Sequence, residues 1–228
     1  MANFGFSRLT VVAPYALHWR EAKSAVGAPE LLQNAKEARS LAEAVSGCTL
    51  VAGTGTLTYR KPEQRVIRLP DFAPLVQHEI AKGGRVALVF GPEKHGLTRE
   101  DLSFCNLLVE IPTDAQQPSM NLGQAVAVCL YEVASRAMAA AENDADEGSA
   151  KSETMTQTVT GPAAASGRLE LLAEVVESAM VAADYSPASM RDANRHDLRL
   201  LLRRLSPTER DTRRILGLFR RILWRLRR

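Results

Sequence analysis

Strand-length apolar runs alternate with helix-like segments over residues 1–142 of the chain. Three of the runs, at residues 48–52, 85–90 and 107–111, are apolar at nearly every position, and a fourth lies at residues 9–13. Continuous apolar runs are typical of parallel strands, because the helices that connect parallel strands cover both faces of the sheet. The alternation therefore predicts an α/β domain built on a parallel sheet.

Helix-like spacing of apolar residues fills the intervals between these runs. One such segment ends at Gly83-Gly84, and the last is long and rich in alanine and valine. We expect helices over residues 21–32, 41–45, 72–82 and 121–141.

The chain changes character after residue 142. Residues 143–166 are acidic, then rich in serine and threonine, and lack apolar periodicity, which predicts a flexible linker. Residues 167–228 are helical in pattern throughout and predict a small all-helical domain. Because a segment of that size buries little surface alone, we expect it to pack on the first domain or on a second subunit.

Serine–proline pairs mark two expected helix starts in this last domain. Ser186-Pro187 and Ser206-Pro207 each place a capping hydroxyl before a proline, and Glu209 is spaced to complete a capping box with Ser206. The final helix then carries an apolar stripe with Trp224 near its end, and we expect that indole to be a core or interface residue. The stripe consists of Ile215, Phe219, Ile222 and Leu226.

The modest net charge of +3 hides a strong asymmetry. Residues 191–228 contain 13 arginines, no lysine and four acidic residues, so this segment carries +9 and the remaining 190 residues carry −6. A basic tail on an acidic body favours a polyanionic partner. The alternative is that the arginines form the solvated face of a dimerisation bundle.

Several classes of protein are excluded. No run approaches ~18 uncharged apolar residues, and the N-terminus lacks a basic segment followed by an apolar stretch of signal length, so we expect neither a membrane span nor secretion. Cys48, Cys105 and Cys129 are far apart, and no cysteine or histidine pair has metal-ligand spacing. We therefore expect a cytoplasmic protein with reduced thiols and no metal.

Three loops break structure where predicted strands end, at residues 51–56, 88–97 and 111–123. Ligands bind beyond the carboxyl ends of the strands in open parallel sheets, and the glycines in these loops allow close approach of backbone to a ligand. The sequence lacks a Walker phosphate loop and a GxGxxG motif. Both a nucleotide-like ligand and plain turn chemistry therefore stay open at this point.

The stretch LVFGPEKHGLTREDLSFCNLLVEIPTDAQQPSMNLGQAVAVCLYEV carries the FGPExxGL signature, an Ile-Pro pair about 20 residues later and a Ser-Met-Asn that leads into an Ala/Val helix. In this order these elements resemble motifs 2 and 3 of the SpoU/TrmH class of SPOUT RNA methyltransferases. The Gly-Thr-Gly-Thr turn upstream and the Arg-rich helical tail resemble a subfamily that methylates a ribose 2′-hydroxyl at nucleotide 32 of the tRNA anticodon loop.

The resemblance implies a deep trefoil knot in the C-terminal part of the first domain, a homodimer, and S-adenosylmethionine bound in a bent pose against the knot loops. It also implies tRNA, or rRNA, as the substrate, with the tail holding phosphates through Arg213, Arg214, Arg220 and Arg221. The residues implied for the cofactor site lie on the three loops: Thr54, Gly55, Thr56, Gly91, Ile111, Pro118, Ser119 and Met120.

The resemblance also implies three catalytic residues, because the family uses a Glu from motif 2 and a Ser and an Asn from motif 3. Glu93, Ser119 and Asn121 match these positions. We expect Glu93 to orient the site through hydrogen bonds and the other two to position substrate or hold the loop. The structural alternatives are that Glu93 caps a loop and that Ser119 and Asn121 cap a helix.

The chain departs from the family pattern at motif 1, N-[IM]-G-x-x-x-R-[AN], which supplies an Asn and an Arg. Residues 1–5 resemble the end of the helix that follows that motif, so we expect a motif 1 segment upstream of Met1 and an exposed edge on the strand at residues 9–13. Two functions stay open: an RNA ribose methyltransferase, and a catalytically impaired RNA-binding protein on the same scaffold.

Overall fold

The computed structural model describes residues 1–15, 18–21, 27–55, 62–146 and 162–228. The strands are short and the helices lengthen towards the C-terminus. In chain order the elements are β1 (Thr10–Val12), α1 (Pro29–Gln33), β2 (Lys36–Ala38), α2 (Leu41–Val45), β3 (Leu50–Thr54), β4 (Arg65–Arg68), α3 (Leu69–Ala81), β5 (Val86–Val89), α4 (Arg99–Ser103), β6 (Leu107–Glu110), α5 (Leu122–Asp146), α6 (Ser166–Ala182), α7 (Arg191–Leu205) and α8 (Glu209–Leu226).

All strand pairs in the described part of the chain are parallel, which confirms the predicted α/β class. Four strands form a sheet in the order β4-β6-β3-β5, and β1 pairs with β2 in a second sheet. The central strand β3 aligns Ala52 with Leu88 on one side and with Leu107 on the other. Phe72 from α3 and Val109 from β6 lie in the core beside it and are almost fully buried.

The outer edges of the two sheets are open. Among the described residues β1 pairs only with β2, and β5 pairs only with β3. Residues 1–5 form a short 3₁₀ turn that ends at Gly5 in the left-handed conformation (φ 77°), and the ring of Phe4 packs edge-on against Tyr131 of α5. The edge expected at residues 9–13 is therefore present in the structure.

Several elements differ from the sequence predictions. The helix expected over residues 21–32 is described only at Pro29–Gln33, and residues 22–26 lie outside the described part of the chain. The sequence does not predict the short strands β2 and β4, because two of the three residues of β2 are charged and β4 has an arginine at each end. The five-residue helix α4 begins with a capping box in which the Thr98 hydroxyl accepts from the Asp101 N–H and the Asp101 carboxylate accepts from the Thr98 N–H.

The predicted capping box at Ser206 and Glu209 is wrong. Ser206 instead ends α7 in the left-handed conformation (φ 43°), and its hydroxyl donates to the Arg203 carbonyl. The cap of α8 is Thr208, which accepts from the Asp211 N–H at 3.1 Å. Ser186 does not cap a helix either, because its hydroxyl accepts from the Asn194 amide nitrogen at 2.8 Å.

The helical region packs on the first domain, which was one of the two predicted outcomes. Helices α6, α7 and α8 share a core that includes Leu172, Leu202 and Leu216. The start of α6 is hydrogen-bonded to the end of α2, since the N–H groups of Ser166 and Gly167 donate to the carbonyls of Cys48 and Ser46. The predicted linker, residues 143–166, has three parts in the structure. Its first residues continue α5 to Asp146, and residues 147–161 lie outside the described part of the chain. Residues 162–166 are hydrogen-bonded to the helical region and to the first domain.

Two arginines of α7 contact the first domain at the end of α4. The guanidinium carbons of Arg199 and Arg203 lie 4.4 Å and 5.3 Å from the ring centroid of Phe104. Both side chains form ion pairs with Glu170 of α6, at 2.9 Å and 3.0 Å, and Arg203 is only 2% exposed. Burial lowers the pKa of the Arg203 guanidinium, and the Glu170 carboxylate opposes that shift. We call this group of four residues the arginine clasp.

Candidate active site

The three predicted loops meet at one edge of the four-stranded sheet and enclose a cavity of about 310 Å³. They follow β3, β5 and β6, whose parallel alignment brings their carboxyl ends together. The start of α5 closes the cavity on the remaining side. Its lining consists of Thr54, Gly55, Phe90, Gly91, Pro92, Glu93, Lys94, His95, Gly96, Leu97, Glu110, Ile111, Thr113, Pro118, Ser119, Met120, Leu122 and Ala125.

The first loop is tied to the second at the strand ends. The Thr54 hydroxyl donates to the Val89 carbonyl at 2.9 Å, and the Thr54 side chain is largely buried. A Cβ atom on Gly53 would lie 2.8 Å from the Cys105 Sγ, so a side chain at this position cannot fit. Among the described residues, no atom lies within 4 Å of the position a Cβ on Gly55 would take. The predicted site residue Thr56 lies outside the described part of the chain.

The second loop turns back on itself, and its two glycines make that turn possible. A Cβ atom on Gly91 would lie 2.2 Å from the Gly96 carbonyl carbon, so the missing side chain accommodates the loop's own backbone. Gly96 adopts a left-handed conformation (φ 65°), and its N–H donates to the Pro92 carbonyl at 2.7 Å. The turn leaves Glu93, Lys94 and His95 exposed at the mouth of the cavity.

A carboxylate joins the second loop to the third. The Glu93 Oε1 atom accepts from the Asn121 Nδ2 atom at 2.9 Å and from the Leu122 N–H at 3.2 Å. The Asn121 Oδ1 atom in turn accepts from the Gly123 N–H at 2.9 Å, which caps α5. Residues 28 positions apart thereby fix the start of the helix, and a carboxylate there complements the helix dipole. Glu93 and Asn121 thus both accept from N–H groups at the start of α5, as the structural alternatives for these two residues predict.

The remaining predicted site residues also line the cavity. Ile111, Pro118 and Met120 are partly buried, and Ser119 is exposed. The Pro118 carbonyl accepts from the Thr113 hydroxyl at 3.3 Å, which closes the third loop. Among the described residues the Ser119 hydroxyl has no hydrogen-bond partner, so Ser119 does not cap the helix as Asn121 does.

The sequence predicts no site role for Lys94, Glu110 or Thr113, and His95 is solvent-exposed in the structure. All four line the cavity. Lys94 and His95 lie inside the FGPExxGL motif, so the sequence predicts that they lie near the site. It does not predict the direction in which their side chains point. Within the described part of the chain no cluster of three or more His, Cys, Asp or Glu side chains is arranged to hold a metal ion.

The basic helix α8 presents the four arginines predicted to bind RNA on its exposed surface. Arg213 makes a long ion pair with Glu209 at 3.8 Å, whereas Arg214 and Arg220 have no ion-pair partner among the described residues. Several arginines of α7 serve a different purpose. Besides the arginine clasp, Arg195 forms a two-pronged pair with Glu177 through two contacts of 2.9 Å.

These features define an α/β protein with a ligand cavity at the carboxyl edge of a parallel sheet and a basic helical extension packed on the domain. The sequence profile of the SpoU rRNA Methylase family matches residues 1–131. The chain belongs to the SpoU methylase family of the SPOUT class.

Two relatives show how far the similarity extends. The chain is 39% identical over 134 residues to the tRNA (cytidine/uridine/adenosine-2′-O-)-methyltransferase TrmJ of Pseudomonas aeruginosa, a match that covers 58% of this chain and 52% of the relative. It is 38% identical over 135 residues to the tRNA (cytidine-2′-O-)-methyltransferase TrmJ of Methanocaldococcus jannaschii, covering 58% of each. The chain thus spans somewhat more than half the length of these relatives.

The fold similarity includes the helical region. The crystal structure of TrmJ from Z. mobilis ZM4 superposes with a TM-score of 0.79 at 25% identity and covers 97% of this chain and 89% of that chain. None of the helices in the described ranges is both long and apolar enough to cross a bilayer.

Proposed function

We propose that this chain binds S-adenosylmethionine in the three-loop cavity and methylates a ribose 2′-hydroxyl in RNA, most specifically nucleotide 32 of the tRNA anticodon loop. The observation that carries the proposal is the joining of the second and third loops by Glu93 and Asn121 at the start of α5. The names of the relatives, tRNA 2′-O-methyltransferases, support the substrate class.

The lining of the cavity fits the proposed cofactor. Leu97, Ile111 and Met120 provide apolar surface for an adenine ring, and Gly55 leaves open space where a side chain would stand. Glu93 and Glu110 offer negative charge to a sulfonium and an ammonium, and Lys94 offers positive charge to a carboxylate. The volume lies at the lower end of the range for small-molecule sites. When bound, S-adenosylmethionine supplies an electrophilic methyl group on a sulfonium.

The residues of the chain would act by positioning. A ribose hydroxyl is a weak nucleophile, so the rate depends on its alignment with the methyl group and on removal of its proton. Ser119 has a hydroxyl free to contact the substrate, and Asn121 and Glu93 hold the loop that carries Ser119 against the cavity. Glu93 is therefore a positioning residue in this proposal, and Ser119 is the direct contact.

A second candidate is an RNA-binding protein on the same scaffold with little or no catalysis. One observation favours it: among the described residues no arginine lines the cavity. The family resemblance assigns an arginine of motif 1 to the reacting ribose or its phosphate.

The deciding experiment measures transfer of a labelled methyl group from S-adenosylmethionine to tRNA. It compares this chain with a version extended by the codons in frame upstream of Met1, on a tRNA that carries either a ribose or a 2′-deoxyribose at nucleotide 32. Incorporation into the first tRNA and not the second supports the proposal and the target. RNA binding by both proteins without incorporation by either contradicts it and supports the second candidate.

The proposal includes a homodimer with α5 at the interface. The described part of this helix exposes Val128 (38%), Tyr131 (58%) and Met138 (66%), and Ala134 and Ala137 lie between the last two. Small residues allow two helices to approach closely, and exposed apolar side chains on one helix face mark interaction surfaces.

A further inference from the structure

The C-terminal half of α8 has two distinct exposed faces. One face carries Leu218, Ile222 and Leu226, which are spaced four residues apart and are all exposed. The other face carries Trp224, with arginines one turn before it at 220 and 221 and one turn after it at 227 and 228. Trp224 is 42% exposed and belongs to none of the core clusters, so the expected core position is wrong and the expected interface position stays a prediction.

Two guanidinium groups lie over the indole ring of Trp224. The guanidinium carbon of Arg228 is 3.9 Å from the ring centroid, and that of Arg221 is 4.3 Å away. Arg220, Leu223 and Arg227 complete a shallow groove beside the indole. Guanidinium groups in contact with a partly exposed indole ring form a positively charged aromatic surface, and nucleobases stack on aromatic rings and on guanidinium groups.

The positive charge of α8 indicates which kind of partner this face can bind. Residues 212–228 contain seven arginines and no acidic residue. A second copy placed symmetrically on this face would bring arginine against arginine, which disfavours dimerisation here. A helix that lies on a membrane places its tryptophan among the apolar residues, whereas Trp224 lies among the arginines and away from the Leu218 face. A polyanion that also offers flat aromatic groups fits both properties.

We infer that Trp224, together with Arg221 and Arg228, forms a stacking site for an unpaired base of RNA, while the neighbouring arginines contact the adjacent phosphates. The site requires single-stranded nucleotides, because the bases of a duplex are stacked on one another and their faces are covered. The inference rests on RNA being the partner of the proposed function, but it does not depend on methyl transfer.

The test uses the full chain with Trp19→Phe, which leaves Trp224 as the single tryptophan. Its fluorescence is followed during titration with a single-stranded RNA oligonucleotide, a duplex RNA of equal length and heparin, which has negative charge but no bases. We expect saturable quenching by the single strand and none by heparin, with the duplex much weaker. Equal quenching by heparin overturns the inference, as does a response to anionic phosphatidylglycerol vesicles without one to RNA.

A second measurement separates stacking from charge. Trp224→Leu should weaken binding of a labelled single strand by about fivefold or more, because stacking of a base on an aromatic ring contributes about 1–3 kcal/mol. The dependence of affinity on salt should stay the same, because no phosphate contact is lost. The matched control, Leu218→Ala, removes an exposed side chain from the other face and should leave affinity unchanged.

Two results overturn the inference in this assay. One is equal weakening by Trp224→Leu and Leu218→Ala, and the other is a loss of self-association, seen by light scattering, in Trp224→Leu alone. No methyl donor is present in either measurement. Failure of methyl transfer with intact quenching therefore contradicts the proposed activity alone, and absence of quenching with intact methyl transfer contradicts the stacking site alone.

Discussion

At the scale of single residues, Glu93 has the greatest influence on the site because one carboxylate oxygen holds two loops. Replacing it with glutamine removes the charge and puts an amide in place of the double acceptor. We expect Glu93→Gln to reduce affinity for S-adenosylmethionine by roughly five- to tenfold, since hydrogen bonds to charged groups are stronger than neutral ones. Titration calorimetry measures the change.

The control for this prediction is Glu174→Gln, an exposed carboxylate on α6. Its affinity should equal that of the unaltered chain. Combining Glu93→Gln with Asn121→Ala should cost less than the sum of the two single changes, because both remove the same contact. Strict additivity would show that the two side chains act separately.

Thiol chemistry gives a second prediction at this scale. Burial raises the pKa of Cys105 and Cys129 to about 12, and it also raises the pKa of the half-buried Cys48. Unfolding exposes thiols that ionise near pH ~8.5, so the unfolded chain releases protons in a range where the folded chain does not. Below about pH 8.5 the buried thiols do not reduce the stability of the folded chain. As the pH rises from there towards 12, the free energy of unfolding should fall, because the thiols of the unfolded chain ionise and those of the folded chain do not.

Urea midpoints at pH 8 and pH 10 measure this fall, and Cys105→Ala should reduce the difference between them. In the native protein at pH 8 a disulfide reagent should modify Cys48 first, and the other two thiols only after unfolding. Rapid modification of all three thiols without denaturant would contradict the burial described here.

At the scale of elements, the arginine clasp holds α7 against α4 and α6. We expect Arg203→Ala to lower the free energy of unfolding by about 2–4 kcal/mol, because it removes a buried ion pair and the packing of the guanidinium on Phe104. Its sequence neighbour Arg204 is exposed, so Arg204→Ala should stay within about 0.5 kcal/mol of the unaltered chain. Urea unfolding compares the two, and similar losses would show that the clasp is not a stabilising contact.

The elements also show which parts of the fold a sequence can predict. Strands β3, β5 and β6 are predictable because each is a nearly continuous apolar run flanked by glycine or proline; β3 and β6 are largely buried, and β5 is partly buried along its whole length. Strand β4 was missed because it lies at the sheet edge, where Arg65 and Arg68 face solvent. The bond between Glu93 and Asn121 spans 28 positions and leaves no periodic trace, so both residues were identified only by family resemblance. Thr208 was missed as a cap because Ser206 offers the same chemistry two residues earlier.

At the scale of the whole molecule, the exposed arginines of α8 are expected to set the salt dependence of RNA binding. Each phosphate contact on a single strand contributes about 0.7 to the slope of log affinity against log salt. Replacing Arg213, Arg214, Arg220 and Arg221 with serine should therefore lower the slope by up to ~3. Filter binding at several salt concentrations measures it.

The matched control removes four exposed charges from the first domain instead, through replacement of Arg8, Lys36, Arg39 and Lys82 with serine. This variant has the same net charge as the tail variant but keeps α8 intact. An equal reduction in slope would mean that general charge, and not the basic helix, determines binding.

The assembly is predicted at the same scale. We expect a dimer in solution that Val128→Lys combined with Met138→Lys converts to monomer, because two buried charges would face their copies across the α5 interface. Light scattering measures the mass. Tyr185→Lys is the control, since Tyr185 is 71% exposed but lies outside α5. An unchanged mass in the double variant would assign the interface to another surface.

The arginine clasp has a consequence for the proposed binding of RNA. Because α7 is fixed on α4, and α4 follows directly on the loop that carries Glu93, the cavity and the basic helix keep one separation whatever the length of the segment between α5 and α6. The cavity and the basic helix therefore lie a fixed distance apart. Under the proposed function, we expect an RNA whose reactive ribose and unpaired bases match that spacing to contact both points at once, and an RNA that does not match to bind through one contact only.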